Sequence, residues 1–349
     1  ITLCGKIGDS MSIYALSQRA GETCDAAGKA MQDVFAVLAQ KGSKTIWSMP
    51  KSCSKYMKIL DLPYLACFLL FRAGKKDSIF FAIPENHVKI KLVKAIQKVK
   101  KYQIICFIND LNAFRYGNAD DPIVQEKMRG EAQVIGMADV VLMPNTNTRE
   151  LLEKNGVTSR LIPVGIWDYL MTEQEQNQLK TAQEQKKCAV QQDTGMQPAK
   201  IAFAGNLNKS EFLKSIPFSK DMGLEMHLWG KLEDKKKEEL SSVCEYHGVL
   251  KAAEVPAAVC MMDYGLVWDG TGKDEIEGGL GEYLKYNNSH KCGLYLASGI
   301  PAIVWKHSGM ATFIKEHECG IVIERLSELP GKIKQADYEQ LKKNALLVS

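Results

Sequence analysis

Short β-rich runs and longer helical stretches alternate along this chain in two rounds, separated by a polar interval. In the first round the strand candidates are 1–4, 45–48, 78–82, 103–108, 140–143 and 160–163. Between them, 26–41, 87–101, 124–137 and 147–155 have helical length and apolar spacing. The last reads as a capped helix, with Asn147 at its start, Glu150 three residues on and Gly156 as the stop. Residues 171–198 then turn polar, through "TEQEQNQLKTAQEQKK" and "QQDTGMQP", and read as a partly helical linker or surface excursion. In the second round the strands are 200–203, 225–229, 245–248, 264–268, 302–305 and 320–323. Its helices are 209–215, 233–243, 252–262, 289–297 and 309–317, with a trailing helical stretch over 327–349. Such alternation requires mostly parallel sheets wrapped by helices. The expected layout is a first α/β domain over 1–168, a linker over 169–198, a second α/β domain over 199–330 and a final helix over 331–349 packing back on the first domain.

Composition supports two cores: 349 residues, 46% hydrophobic and 25% charged, suffice for both. The net charge of +4 gives no nucleic-acid footprint, and no nucleic-acid partner is expected. Ten cysteines lack metal-ligand or redox spacing and read as reduced, mostly buried thiols of a cytoplasmic protein. The chain begins at Ile1 rather than Met, so a few preceding residues are expected, and no signal peptide is visible. The most membrane-like stretch, "LPYLACFLLF" at 62–71, is too short to span a bilayer. It reads as a core helix or, for a lipid-linked substrate, as a membrane-surface anchor.

In doubly wound sheets ligands sit outside the carboxyl ends of the strands. The richest of these junctions is "EYLKYNNSHKCGLYLASGIPAIVW", residues 282–305. Five hydrogen-bonding side chains, Asn287, Asn288, Ser289, His290 and Lys291, immediately precede or open a buried helix. With Ser289 as N-cap, free amides, the positive end of the helix dipole and the Lys291 ammonium suit a phosphate or diphosphate. The alternative is an ordinary capped helix with a solvated lysine. A second junction, "IAFAGNLNKSEF", offers Gly205 and Asn206 for close backbone approach, without the GxGxxG fingerprint. A third, "YGLVWDGTGKDEIEGGLGEYLKY", ends a strand at Trp268 and Asp269 and continues as a Gly-rich acidic loop resembling a mobile lid. Calcium is the sharper reading of those acids, but the EF-hand spacing is missing. A fourth places Ser308 ahead of helix 309–317, with His307 as a surface residue.

The first domain offers "IICFINDLNAFRYGN", in which Asp110 follows an apolar strand. It is a candidate base toward an acceptor hydroxyl or, equally, the N-cap of the following turn. Arg115 is a candidate partner for an acidic group. Ser10 and Ser12 in "GKIGDSMS" and Gly28 in "AAGKAMQD" complete the acceptor-side candidates.

The run "YGLVWDG…GEYLKYNNSHKCGLYLASGIPAIVW…ATFI", with "FAGNL" before it and "INDLNAFR" in the first domain, resembles a bacterial GT-B glycosyltransferase group. That group contains β-1,6-galactofuranosyltransferases and the glucosyltransferases of serine-rich-repeat adhesins. The resemblance implies two facing Rossmann-like domains with a cleft. It also implies transfer of a galactofuranosyl or glucosyl unit from a UDP-sugar to an acceptor glycan, glycoprotein or lipid-linked sugar, without a bound metal and with no cofactor. The donor would lie against the second domain, lined by Gly205, Asn206, Trp268, Asp269 and Ser308, with Asn287, Asn288, His290 and Lys291 at the diphosphate. Asp110 and Lys291 would carry the chemistry. Relatives often show Pro where Ser289 stands and His-Asp where Asn109-Asp110 stands, which removes a histidine from acceptor activation. A cytoplasmic homo-oligomer is the expected setting, at the inner face of the membrane where the acceptor is lipid-linked. The reading kept beside it is a non-catalytic nucleotide-sugar-binding subunit of a transferase complex.

Overall fold

The computed structural model describes residues 11–16, 26–46, 60–84, 87–115, 117–192, 197–240 and 243–349. The chain divides into two compact units, the first ending at Val164 and the second beginning at Gly165. Each holds a six-stranded sheet in which every pairing is parallel.

In the first unit the strands are β1 (Ile13–Leu16), β2 (Lys44–Ile46), β3 (Ser78–Ile83), β4 (Gln103–Ile108), β5 (Val140–Met143) and β6 (Arg160–Pro163), in the order β2-β1-β3-β4-β5-β6. The helices between them are α1 (Ala26–Gln40), α2 (Asp61–Arg72), α3 (His87–Lys100), α4 (Pro122–Ile135) and α5 (Thr146–Lys154). β3, "SIFFAI", is buried throughout, as a parallel strand covered on both faces must be. The expected strand at 1–4 lies outside the described residues, and the first described strand starts at Ile13. α5 starts two residues before the sequence places it: Asn145, not Asn147, is the N-cap, and its Oδ1 accepts from the Thr148 amide at 3.1 Å.

In the second unit the strands are β7 (Ala199–Ala204), β8 (Leu224–Trp229), β9 (Cys244–Tyr246), β10 (Tyr264–Val267), β11 (Ala302–Trp305) and β12 (Gly320–Ile323). The helices are α6 (Glu173–Gln192), α7 (Asp234–Leu240), α8 (Val255–Val259), α9 (Gly279–Glu282), α10 (His290–Ala297), α11 (Ala311–Glu316), α12 (Leu329–Gln335) and α13 (Tyr338–Val348). The strand order, β12-β11-β10-β7-β8-β9, is the 3-2-1-4-5-6 order of nucleotide-binding sheets, with the reversal between β7 and β10. Across that reversal lies α10 (His290–Ala297). Gly265 of β10 leaves room for the Tyr295 ring of this helix: a Cβ there would stand 2.1–2.5 Å from three ring carbons. The Tyr295 hydroxyl in turn accepts from the Ala204 amide at the end of β7, at 3.0 Å. One aromatic side chain thus spans both strands of the switch point.

The polar interval, expected as a partly helical linker or surface excursion, is helical over most of its length. Glu173–Gln192 form a 20-residue helix, α6, that belongs to the second unit. Leu179 is buried, Gln183 donates to the Ser298 carbonyl at 3.3 Å, and Lys186 reaches the Met262 carbonyl at 2.5 Å and the Asp263 carboxylate at 3.2 Å. The ammonium of Lys186 is pushed below its ordinary pKa by burial, which the Asp263 charge opposes. Its other neighbour is the Tyr338 hydroxyl, at 3.4 Å, at the start of the C-terminal helix α13 (Tyr338–Val348). Ala345 of α13 is fully buried, Asn344 donates to the Glu318 carbonyl at 3.0 Å, and Leu346 lies against Gly299. The contacts described for α13 are therefore with the second unit, where the sequence placed it against the first.

Gly265→Ala is expected to lower stability by about 1–3 kcal/mol, because a methyl group there overlaps the Tyr295 ring. Urea unfolding measures this; an unchanged midpoint would show that the ring moves aside at no cost.

Candidate functional site

Two loops leave the switch point. After β7 the chain passes Gly205 and Asn206 into a short 3-10 turn, Leu207–Lys209. Asn206 shapes this turn, accepting from the Asn208 amide at 3.2 Å. Gly205 is pressed from two directions. A Cβ on it would lie 2.9 Å from Cε of Lys291. On its other flank Gly230, at φ +139°, approaches so closely that a Cβ on Gly230 would meet the Gly205 carbonyl oxygen at 1.7 Å. Only glycine serves at position 230, since the left-handed dihedral and the contact both exclude a side chain.

Ser289 is the N-cap of α10, as expected, although its side chain makes no capping bond. Lys291, in the first turn of α10, folds its stem against Gly205 and holds Nζ over the Phe203 ring, 4.1 Å from the centroid. Burial lowers its pKa to about 8; the Asp269 carboxylate opposes that shift and the Lys209 ammonium adds to it. A partly desolvated ammonium at a helix start, beside a backbone free of side chains, is a receptor for an anion. Lys209 supplies a second cation, 3.6 Å from Asp269 Oδ2.

Several expected site residues have other tasks. Trp268 is 0% exposed and belongs to the core; its indole N–H has no partner among the described residues. A side chain buried to that degree presents no face to a nucleotide, so Trp268 is withdrawn from the donor site. Asp269 is buried beside Lys209 and accepts from the Gly270 amide at 3.0 Å. Its charge suits a counter-ion that places the lysines and would repel a phosphate. Asn288 is 2% exposed and donates to the Gly165 carbonyl, tying the first residue of the unit to α10. Gly293 reinforces that seam, since a Cβ there would meet the Trp167 carbonyl at 2.2 Å. His290 packs its ring on Tyr169, with centroids 5.0 Å apart. Asn287 is half-buried, with its amide nitrogen bonded to the Tyr283 carbonyl at 3.0 Å. Ser308, after β11, is 5% exposed and its hydroxyl has no partner among the described residues, which suits a ligand contact.

The acidic loop after Asp269 is folded on itself, unlike a loose lid. The Thr271 amide bonds the Glu277 carbonyl at 3.1 Å, and Gly270 takes φ +109° where a Cβ would strike Glu277 O. Asp274 accepts from the Ser327 amide and hydroxyl at 2.7 and 2.8 Å, and Glu275 pairs with Arg325 at 2.5 Å.

In the first unit Asp110 lies at the carboxyl end of β4, half-buried. The amides of the turn after it are taken by Glu131 of α4, which accepts from Asn112 at 3.0 Å and Ala113 at 3.5 Å. Glu131 therefore takes part in capping this turn. Ser12 precedes β1 and donates its amide to Asp77 at 3.0 Å. It stands at the amino end of the strand, opposite the ligand-bearing edge, so it is not an acceptor-side residue. Gly28 lies in the first turn of α1. Ser10 and the Arg115 side chain lie outside the described residues.

Sequence reasoning passed over Phe203, Tyr295 and Gly230. Only Gly230, a glycine straight after an apolar strand, carried a local signal; the other two look like ordinary core residues until α10 is placed.

Comparison with known proteins gives the family. Residues 13–166 match the glucosyltransferase 3-like N-terminal domain and residues 201–349 the matching C-terminal domain. The chain is 22% identical over 330 residues to the β-1,6-galactofuranosyltransferase WbbI of Escherichia coli K12, covering 93% of this chain and 89% of that protein. To glucosyltransferase 3 of Streptococcus gordonii it is 25% identical over 247 residues, 70% of this chain and 64% of the relative. Among solved structures, sucrose-phosphate synthase of Thermosynechococcus elongatus superposes with a TM-score of 0.57 at 12% identity, covering 96% of this chain and 93% of that one. Anabaena HepE in complex with UDP and glucose gives 0.53 at 12% identity, with the same coverage. With both domains matched in order, and with the α/β architecture of GT-B glycosyltransferases, the chain belongs to the glucosyltransferase 3-like family.

Proposed function

We propose that this chain transfers a hexosyl unit, galactofuranosyl or glucosyl, from a UDP-sugar to an acceptor glycan. The relatives' names support the reaction class, and one observation carries the assignment of the donor site: Lys291 Nζ is held over Phe203 and against Gly205 at the switch point of the second sheet. In the reaction the acceptor hydroxyl oxygen attacks the anomeric carbon, the bond from that carbon to the UDP oxygen breaks, and the hydroxyl proton passes to a base. Asp110 is the base we assign. The departing diphosphate acquires charge, which Lys291, Lys209 and the first amides of α10 take up without a metal or other cofactor. The nearest acidic group, Asp269, is already engaged with Lys209 and the Gly270 amide, which supports that arrangement.

Lys291→Ala is expected to lower turnover at saturating UDP-sugar by roughly 10²-fold or more. Turnover equal to wild type would remove Lys291 from the chemistry. UDP release with and without acceptor distinguishes the enzyme from a non-catalytic binding subunit, which would bind UDP and release none from a UDP-sugar.

The pKa of Lys291 gives a second test. Its ammonium is charged below about pH 8 and neutral above, and an anion binds the charged form. UDP affinity should therefore weaken as pH rises through about 8, and the Lys291→Ala variant should lose that alkaline step. Calorimetric titration at several pH values measures both; a step retained in the variant would assign it elsewhere.

Peripheral membrane association is the setting we propose for a lipid-linked acceptor. Among the described residues no helix is long and apolar enough to cross a membrane. The membrane-like stretch instead turns an apolar stripe outward: Tyr64, Cys67, Leu70 and Phe71 of α2 are exposed, Phe71 to 84%. Exposed Arg72, Lys75 and Lys76 follow directly. Apolar side chains flanked by cations suit an anionic bilayer surface. Phe71→Glu is expected to cut co-sedimentation with phosphatidylglycerol-containing vesicles about tenfold. Wild-type protein that stays in the supernatant would refute this setting.

A further inference from the structure

β8, "LEMHLW", is buried along its whole length, yet it carries two ionisable side chains, Glu225 and His227. Alternation along the strand puts both on one face with Trp229. The edge strand β9 pairs Glu245 directly across from His227, and His247 follows two residues later on the same face. The outcome is a cluster of two imidazoles and a carboxylate. His227 Nδ1 lies 2.9 Å from His247 Nε2 and 3.8 Å from Glu245 Oε2, and His247 Nε2 lies 3.9 Å from Glu245 Oε1. One ligand atom from each residue falls within 4.8 Å of the others.

The rest of the cluster fixes how these groups point. The His227 and His247 rings are 5° from parallel with centroids 5.1 Å apart, and His247 stacks on Trp229 at 4.5 Å and 17°. His227 is 4% exposed, and its far nitrogen, Nε2, makes no hydrogen bond and faces Glu225 Oε2 at 3.7 Å. Glu225 is held by Lys220 at 2.6 Å. A proton on Nε2 facing that carboxylate leaves the Nδ1 lone pair directed at His247 and Glu245. A carboxylate behind the ring, here at charge-pairing rather than hydrogen-bonding distance, favours the tautomer in which a metal-ligating imidazole presents its other nitrogen.

We propose that His227 Nδ1, His247 Nε2 and Glu245 form a binding site for a divalent transition metal ion, zinc by preference, at the β8–β9 edge of the second unit. Two imidazoles and a carboxylate, with water in the fourth position, suit tetrahedral zinc. The ion takes the place of the proton between the two imidazoles; His247 then carries that proton on Nδ1 while His227 keeps its own on Nε2, so both rings ligate as neutral imidazoles. With Zn–N bonds of about 2.0–2.1 Å the two nitrogens need to stand about 3.4 Å apart. That is a small opening from 2.9 Å, and the exposed position of His247 allows it. The ion clamps the edge strand to its neighbour at a point stacked on Trp229, the residue before Gly230.

The test is titration of the chelator-treated, reduced full chain with Zn²⁺ by calorimetry and with Co²⁺ by visible absorption, beside His247→Ala and Glu245→Gln. Both substitutions are on exposed side chains, and circular dichroism checks their folding. One equivalent of Zn²⁺ is expected to bind and to raise the melting temperature, with affinity at least tenfold weaker in either variant. Glu225→Gln, which leaves the three ligands in place, is expected to weaken binding by about 10–100-fold. The Co²⁺ spectrum should lack the intense thiolate charge-transfer band that cysteine ligation gives. Equal binding by wild type and His247→Ala, a thiolate band, or no saturable binding would overturn the site.

Discussion

The packing of Tyr295 into the space left by Gly265 organises the second unit. Its ring covers β10 and its hydroxyl accepts the last amide of β7, so the helix that carries it has one position relative to both strands of the switch point. The Lys291 ammonium proposed to meet the donor is placed from there. Four residues before Tyr295 in the same helix, Lys291 lies on the same face. It arrives over Phe203 and against Gly205 because the ring beneath it cannot shift without opening the core.

That arrangement keeps the Lys291 ammonium at some cost. Burial favours the neutral amine, while the Phe203 face and the Asp269 charge favour the cation. The balance leaves a cation that gains more from an incoming diphosphate than a solvated lysine would, since less water must be displaced. Asp269 has a double effect: it pairs with Lys209, and it limits how far the pKa of Lys291 falls. The pair of cations is set before the anion arrives, which is the form of electrostatic preorganisation that lowers barriers.

Much of this architecture was legible because parallel strands covered on both faces appear as unbroken apolar runs, and β3, β4, β11 and β12 were placed to within a residue. The helix start at Ser289 was legible from the abrupt change from polar to apolar side chains. Other features depend on partners distant in sequence. Asn288 resembles a ligand-binding amide until its Gly165 partner, 123 residues away, is known. Trp268 continues the inward direction of its strand, and residue type alone does not distinguish that from a stacking platform. α6 read as a linker because hydropathy counts Lys186 and Gln183 as polar, although their stems lie along the core and only their tips find partners. The cap of α5 was ambiguous because "PNTNT" contains two asparagines with the same chemistry, and the strand before it decides between them.

The backbone contact between Gly205 and Gly230 has an evolutionary consequence. Gly230 can acquire no side chain, because the atom that would collide is the main-chain carbonyl oxygen of residue 205 and no rotamer relieves it, whereas a Cβ on Gly205 would meet the Lys291 stem. Descendants of this sequence are free to vary in the loops beyond these residues, but Gly230 must be inherited unchanged. With the donor phosphates in the site proposed above, diversification of sugar preference is directed away from that end of the donor and toward its variable periphery.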